Sequence, residues 1–423
     1  MKEPKFITLK AWKEMELGDV SQIIMGQSPD SSFVNEVGEG IAFLQGCAEF
    51  GQKYPIPLYS VTQPTKIVNK GDILTSVRAP VGEMNLSDRS YCIGRGLAGV
   101  RFHDSVDSIF GWYALSHFKN QLDRVAQGST FLAISSHDIR SLNIRFPSEI
   151  NEQRSIAEIL TKVDDAIEQT EALIRKYQRI KQGLMQDLLT RGVDENGEVR
   201  NPYKNREGFR KTSFGYFPKV WKVAPLEEIL SNGKGHIQTG PFGTQVHVSD
   251  YVPEGIPMVM PQNIDNMGFI ETINIPCISQ QKAFELVHHK LFENDVIFAR
   301  RGDLSKCANI TEREQGWLCG TGSMLVRIDE KILNGKWLTY YYRHDLGQRQ
   351  ILSQAVGSTM KSINTELLSG MIIACPTIEE QKRIISILNN QDELVEKEKN
   401  YLSKLTLLKQ GLMQDLLTGK VRM

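Results

Sequence analysis

The sequence predicts an α+β protein built twice. Two α/β modules, related by a pseudo-twofold, are joined by two long antiparallel helices that form a coiled coil. Three observations carry this reading. A decapeptide recurs without change, a heptad seam leads into each copy of it, and the sequence ahead of each seam is a succession of short β-prone runs.

The decapeptide KQGLMQDLLT occupies residues 181–190 and again 409–418, so the shift from Lys181 to Lys409 is 228 residues. Ten identical residues in a row do not recur by chance in a chain of 423, and a repeat on this scale sets the whole architecture. The match continues upstream. EQRSIAEIL (152–160) aligns with EQKRIISIL (380–388) at the same shift, and GSTFLAISSHDIRSLNIRFP (128–147) resembles GSTMKSINTELLSGMIIACP (357–376). Further back only a skeleton survives. GDILTSVRAPVG (71–82) parallels NDVIFARRGDLS (294–305), GIAFLQG (40–46) parallels GIPMVMPQN (255–263), and Trp12-Lys13 parallels Trp221-Lys222. Each half therefore has a divergent front and a near-identical back.

The backs read as helices. Apolar residues recur at Ile156, Leu160, Val163, Ile167, Ile174, Tyr177, Leu184 and Leu188, with Thr170 and Lys181 as polar exceptions. Steps alternating between four and three make a heptad seam. The second copy runs Ile384, Leu388, Gln391, Val395, Glu398, Leu402, Leu405, Lys409, Leu412 and Leu416. Pro147 and Pro376 stand shortly before the two starts, where proline is tolerated. Acidic residues (Glu152, Glu158, Asp164, Asp165) lead the first copy and basic ones (Arg175, Lys176, Arg179, Lys181) trail it, as the helix dipole favours. A helix of about 40 residues is roughly 60 Å long and cannot bury its seam alone. Two in one chain are partners for each other, and an antiparallel arrangement would carry the two fronts to opposite ends. Gly183 and Gly411 interrupt good helical sequence at about 1 kcal/mol each relative to alanine. Their reading is open between close approach by another helix or subunit and fraying near a helix end.

The fronts contain the runs IAFLQG, GDILTSV and GLAGVRF in the first half and IPMVMP, DVIFARR and SMLVRI in the second, separated by Gly, Pro and Asp turns. Each also has one amphipathic helical stretch, near residues 109–125 and 337–355. Residues 191–211 (RGVDENGEVRNPYKNREGFRK) are charged and rich in Gly and Asn, and read as a linker. The expected division is a first module at 1–147, a first long helix at 148–190, a linker at 191–213, a second module at 214–376, a second long helix at 377–418 and a tail at 419–423.

Hydrophobic residues make up 40% of the chain and charged residues 24%, the proportions of ordinary globular protein. No apolar run is long enough to span a membrane, and the N-terminal residues lack an apolar core, so neither membrane insertion nor a secretory signal is expected. The six cysteines are scattered, with no CxxC pair and no zinc spacing, which points to free thiols in a reducing cytoplasm. Formal net charge is zero. That argues against a stand-alone basic nucleic-acid binder, but leaves room for a local basic surface or a partner that supplies the remaining charge.

No catalytic constellation is visible: no GxxxxGK[ST] loop, no GxSxG elbow, no HExxH and no metal-ligand cluster. Asn201-Pro202-Tyr203 lacks the second proline of the Asn-Pro-Pro-Tyr motif of amino-methyltransferases and lies in the polar linker. His288-His289 reads as a surface pair. The polar loops of the fronts offer groups that read base edges or grip phosphates. Candidate DNA-binding residues are Gln27, Ser28, Thr75, Ser76, Arg78, Arg95, Ser129 and Thr130 in the first half. In the second they are Gln238, Thr239, Gln245, Arg300, Arg301, Ser358, Thr359 and Lys361. Any one of these loops could equally be an ordinary solvated turn. Arg78, Arg300 and Arg301 stand out, because arginine pairs bidentately with guanine or clamps phosphate. The repeated Gly-Ser-Thr suits a task shared by both halves, whereas sequence reading belongs where the copies differ. Candidate subunit-contact residues are Gly183, Met185, Gln186, Gly411, Met413 and Gln414.

Two divergent modules, each followed by a long helix opened by EQ[RK]xIxxIL, with KQGLMQDLLTGKVR closing the chain, resemble the specificity subunits of Type I restriction-modification systems. The first copy ends in RGV where the second ends in GKV. The resemblance covers essentially the whole chain. It implies two target-recognition domains reading a bipartite, asymmetric target in double-stranded DNA, with a nonspecific spacer set by the helices. It implies as partners two copies of a modification subunit that binds S-adenosylmethionine and methylates adenine, and restriction subunits that use ATP can join. The chain itself is expected to bind no cofactor or metal and to catalyse nothing. The bottom-up reading converges on this: identical backs suit two copies of one partner, and different fronts suit two half-sites. A scaffold that organises proteins without touching DNA would explain the helices but not two fronts of similar skeleton and different loops.

Overall fold

The computed structural model describes residues 12–117, 134–354 and 362–423. They form two compact units. The first holds residues up to 173 together with 398–423; the second holds 174–397. Each unit is one module plus the opening of the helix that follows it and the closing part of the other long helix. The long helices run Ile150–Leu188 and Ile378–Leu417, within about two residues of the sequence expectation at each end.

Both units contain a four-stranded antiparallel sheet of the same strand arrangement. In the first, a four-stranded antiparallel sheet has the order Ser21–Met25, Leu97–Phe102, Ile73–Ser76, Met84–Leu86. In the second the order is His236–Thr239, Ser323–Arg327, Val296–Ala299, Cys307–Asn309. The strands Ile73–Ser76 and Val296–Ala299 are buried along their whole length, which is why GDILTSV and DVIFARR read as apolar runs without alternation. A buried aspartate stands just before each and is clamped by an arginine from the neighbouring strand: Asp72 by Arg101 at 2.6 Å and Asp295 by Arg327 at 2.8 Å. A second sheet in each unit is built around a short parallel pair, Ile41–Leu44 with Tyr91–Ile93 and Ile256–Val259 with Leu318–Cys319. A two-stranded ribbon ties the beginning of each module to its end: Trp12–Glu16 with Asn143–Pro147, and Lys222–Pro225 with Ile372–Cys375.

One sequence expectation changes and two gain detail. The helical stretch near 337–355 is two helices, Gly335–Arg343 and Asp345–Gln354. His344 is extended between them, and its Nδ1 accepts the Leu346 N–H, capping the second helix. The stretch near 109–125 is helical at Ser108–His117, and its remainder lies outside the described residues. The segment 191–213, read as a linker, is packed and hydrogen-bonded. Val193 is fully buried with Leu188 and Leu189, and Phe209–Thr212 pairs with Gly215–Pro218 as a hairpin. Asn201 caps a turn there through its side-chain oxygen, which accepts the Tyr203 N–H at 2.9 Å. Residues 195–199 supply an exposed charged stretch, while Gly192, Val193 and Arg200 turn inward and fix the segment.

The RGV/GKV difference also resolves. Gly192 and Gly419 both follow a long helix with positive φ (66° and 73°), the left-handed closure that glycine favours. Gly192 lies against the ring of Trp221 and Gly419 against that of Trp12.

Candidate nucleic-acid interface

The repeated motif residues explain how each module is seated on its helices. Gln153 is fully buried. Its amide donates to the Ser105 and Pro147 carbonyls and accepts the Asp107 N–H. Gln381 does the same with Ile332, Pro376 and Asn334. The preceding glutamates hold the other end. Glu152 accepts two N–H groups of Arg422 at 2.6 and 2.7 Å. Glu380 is paired with Arg200 and accepts the Trp221 indole N–H at 3.2 Å and the Val193 N–H at 3.1 Å. A third set lies further along. Lys409 pairs with Asp164 at 2.6 Å, and Tyr113 O–H donates to the same carboxylate at 2.7 Å. In the second unit Lys181 pairs with Asp392, which accepts the Tyr340 O–H at 2.6 Å. Burial, then the neighbouring carboxylate, pushes both phenols well above their ordinary range. Glu152 faces Arg422 and Asp164 faces Lys409, so the helix segments within the first unit run antiparallel.

Much of the decapeptide identity therefore serves the inside of this chain. Lys181 and Lys409 sit in these ion pairs, Leu188, Leu189, Leu416 and Leu417 are core, and Leu184 and Leu412 pack against it. Met185 and Met413, candidate subunit contacts, are partly buried and pack against their own units' cores. Gln182, Gly183 and Gln186 face outward in one copy, and Gln410, Gly411 and Gln414 in the other. A Cβ at Gly183 or Gly411 would meet nothing within 4 Å. In the second unit Gln186 also contacts the His344 ring at 3.1 Å, where burial holds the imidazole below its ordinary pKa.

The Arg422 clamp ties the tail to a titratable group. Hydrogen bonds from Arg422 hold the Glu152 carboxyl below the ordinary value of 4.5. A depressed carboxylate contributes stability that is fully present above its unfolded pKa and is lost as pH falls through the folded one. The protection factors of the Val421 and Met423 amides, corrected for the intrinsic pH dependence of exchange, should therefore be high at neutral pH and fall once the Glu152 carboxyl is protonated, below its ordinary 4.5. With Glu152→Gln the protection should be low at every pH.

At one end of the strands of the main sheet in each module, loops converge through backbone hydrogen bonds on a glycine skeleton. In the first module Gly26 N–H donates to Leu97 O (2.9 Å), Val77 N–H to Gly96 O (2.9 Å) and Gly94 N–H to Leu44 O (2.8 Å). In the second Gly240 N–H donates to Ser323 O (2.9 Å), Arg300 N–H to Gly322 O (2.8 Å) and Gly320 N–H to Val259 O (2.9 Å). Glycine is required because the backbones touch. A Cβ on Gly26 would lie 2.1 Å from Gly94 O, and one on Gly240 would lie 2.1 Å from Gly320 O. The skeleton equates Arg78 with Arg301, each one residue beyond the donor at Val77 or Arg300.

Gln27, Arg78 and Arg95 are exposed on the first rim. Ser28 is half-buried there, and its Oγ accepts the Arg95 N–H at 3.4 Å. Thr75 and Ser76 are buried and do not face solvent, a correction of the sequence expectation. Ser76 donates to Pro80 O at 2.6 Å and accepts the Glu83 N–H at 2.9 Å, so its hydroxyl folds the Arg78 turn. Short hydroxyl side chains on an apolar strand can be buried this way, and sequence alone reads them as loop. On the second rim Gln245 and Arg301 are exposed, and Arg300 is half-buried beside the exposed Phe242. Gln238 and Thr239 lie in the strand below. The Gln238 amide is taken by His289 Nδ1 at 3.2 Å. His289 is buried, which lowers its pKa, and only His288 is at the surface. Ser129, Thr130, Ser358, Thr359 and Lys361 lie outside the described residues. Sequence reasoning missed Gln45, which is exposed beside Gly94 and Gly96, and Phe242. The parallel between GIAFLQG and GIPMVMPQN was the available signal for Gln45.

Among the described residues no helix is long and apolar enough to cross a membrane and no side-chain cluster could hold a metal ion.

Paired reading-type modules on a duplicated helical frame define a specificity-subunit architecture, and comparison with known proteins agrees. The Type I restriction modification DNA specificity domain matches residues 10–177 and 257–407. The chain belongs to that family, whose members are the non-catalytic components of restriction-modification complexes. The Type I restriction enzyme MjaVIII specificity subunit of Methanocaldococcus jannaschii is 24% identical over 422 residues, covering 97% of this chain and 93% of the relative. The MjaX specificity subunit of the same organism is 43% identical over 182 residues, covering 42% of this chain and 43% of that protein. Among solved structures, the S subunit of a Type I system from M. genitalium has a TM-score of 0.61 at 17% identity, covering 98% of both chains. A chain from the structural description of complex assembly and conformational transition of the Type I system has a TM-score of 0.54 at 17% identity, covering 99% of both.

Proposed function

We propose that the chain reads a bipartite, asymmetric target in double-stranded DNA, one half-site per module, with the long helices setting the spacing between them. Two modification subunits dock on it, S-adenosylmethionine and ATP are bound by partner subunits, restriction subunits can join, and the assembly works in the cytoplasm. The observation that carries this is the pair of rims: one glycine skeleton made twice, with different side chains at the tips. Shared positions such as Arg78 and Arg301 suit the phosphate backbone, which is the same everywhere. Positions that differ suit base edges.

Exchange of residues 1–147 for the equivalent module of another family member tests it. Methylation by the reconstituted complex should then change in one half of its target and keep the other half. A change in both halves, or in neither, overturns the reading.

The outward faces around Gly183 and Gly411 are the docking surfaces in this proposal, since each glycine weakens its helix with no compensating contact among the described residues. Gly183→Ala and Gly411→Ala should each stabilise the isolated chain by about 1 kcal/mol in urea unfolding, while reducing the modification subunit retained in gel filtration.

A further inference from the structure

The two rims differ most at one place. After Gly26 the first module has Gln27 and Ser28, whose hydroxyl is engaged by the Arg95 N–H. After the equivalent Gly240 the second has Pro241 and Phe242. The Phe242 ring is 55% exposed, although nothing polar on it calls for water. Its loop is closed on itself: the Phe242 N–H donates to Gln245 Oε1 at 2.9 Å and the Gln245 N–H donates to Phe242 O at 2.9 Å. The ring thus projects from a rigid turn. The Arg300 guanidinium lies 5.8 Å from its centroid, and Arg300 Nε is buried without a hydrogen-bond partner among the described residues. Arg301 stands exposed on the adjacent residue.

We propose that Phe242 is a wedge: it stacks on a base of the half-site read by the second module and opens one base step there, while Arg300 and Arg301 take the flanking phosphates. An aromatic ring beside a guanidinium group suits a base beside a phosphate. Apolar side chains inserted at base steps unstack and kink duplex DNA, and flexible steps such as TA or CA yield most easily. Ser28 has no such ring, so the first half-site stays stacked at the equivalent step. Deformation readout is then a property of one module only. This inference rests on the proposed DNA-facing role of the rims.

The test uses the full chain assembled with its modification subunit on its own target, with 2-aminopurine placed at successive steps of each half-site and the methylated adenines left unlabelled. Fluorescence should rise at one step of the second half-site. Phe242→Ser should abolish that rise and weaken binding about tenfold, within the range for loss of one base–aromatic stack. Phe242→Leu should retain most of it, and no change is expected in the first half-site. The ring is exposed, so the thermal melt of Phe242→Ser should match the parent. Full fluorescence and affinity in Phe242→Ser overturn the wedge. If Arg301→Ala still weakens binding in that case, only the wedge fails. If Arg301→Ala also binds normally, the rim is not the DNA face and the underlying reading fails with it.

Discussion

Glu380→Ala is expected to destabilise the second unit by about 3–5 kcal/mol, the cost of removing one partner from a buried ion pair. Glu380 is 3% exposed and receives the Arg200 guanidinium, the Trp221 indole and the Val193 N–H. Deleting the carboxylate leaves a half-buried cation and two buried donors without partners, and each orphaned donor costs about 1–3 kcal/mol. Glu380→Gln keeps the volume and one acceptor and should cost less. Hydrogen exchange is the direct readout. Residues 209–225 and 378–388 should lose protection in Glu380→Ala, while 12–16 and 143–160, held by Glu152 and Arg422, should keep theirs. Unchanged protection at 209–225 would mean that the glutamate of the repeated EQ motif does not anchor the segment after the first helix.

Arg78→Ala and Arg301→Ala should each weaken DNA binding of the assembled complex about tenfold without altering the bases recognised. The two arginines occupy the same position on the two glycine skeletons, and residues common to both modules serve what the half-sites have in common. Loss of one phosphate contact lowers the slope of log affinity against log salt by about 0.9. The slope is the sharper measurement, because a base contact would instead relax specificity at one position. An unchanged slope with altered preference in one half-site would make the arginine a base reader.

Much of the fold was legible because its signals are local or repeated. The heptad steps gave the helices to within about two residues, and GDILTSV and DVIFARR gave the central strands. The uses of the repeated residues were not legible. Glu152 and Arg422, Glu380 and Arg200, and Asp164 and Lys409 are all 180 or more residues apart, and no local pattern encodes such pairing. The decapeptide looked like a partner surface because it is identical. Lys181 and Lys409, and the three leucines that follow each of them in the decapeptide, instead fill the same internal places twice. What remains outside is narrower, a glutamine–glycine–glutamine face. For the rims, sequence found the arginines and glycines but misplaced Thr75 and Ser76, since hydroxyls that fold a turn and hydroxyls that face solvent read alike. It passed over Phe242 because a single aromatic in a glycine-rich loop has no periodicity to show which way it points.

Modified-base sequencing of DNA from cells expressing this chain with its modification subunit tests the central claim most directly. A single asymmetric motif should appear, two short specified halves separated by an unspecified spacer of constant length, with adenine methylated in each half. A continuous or palindromic motif, or methylation without sequence preference, would contradict the assignment of one half-site to each module.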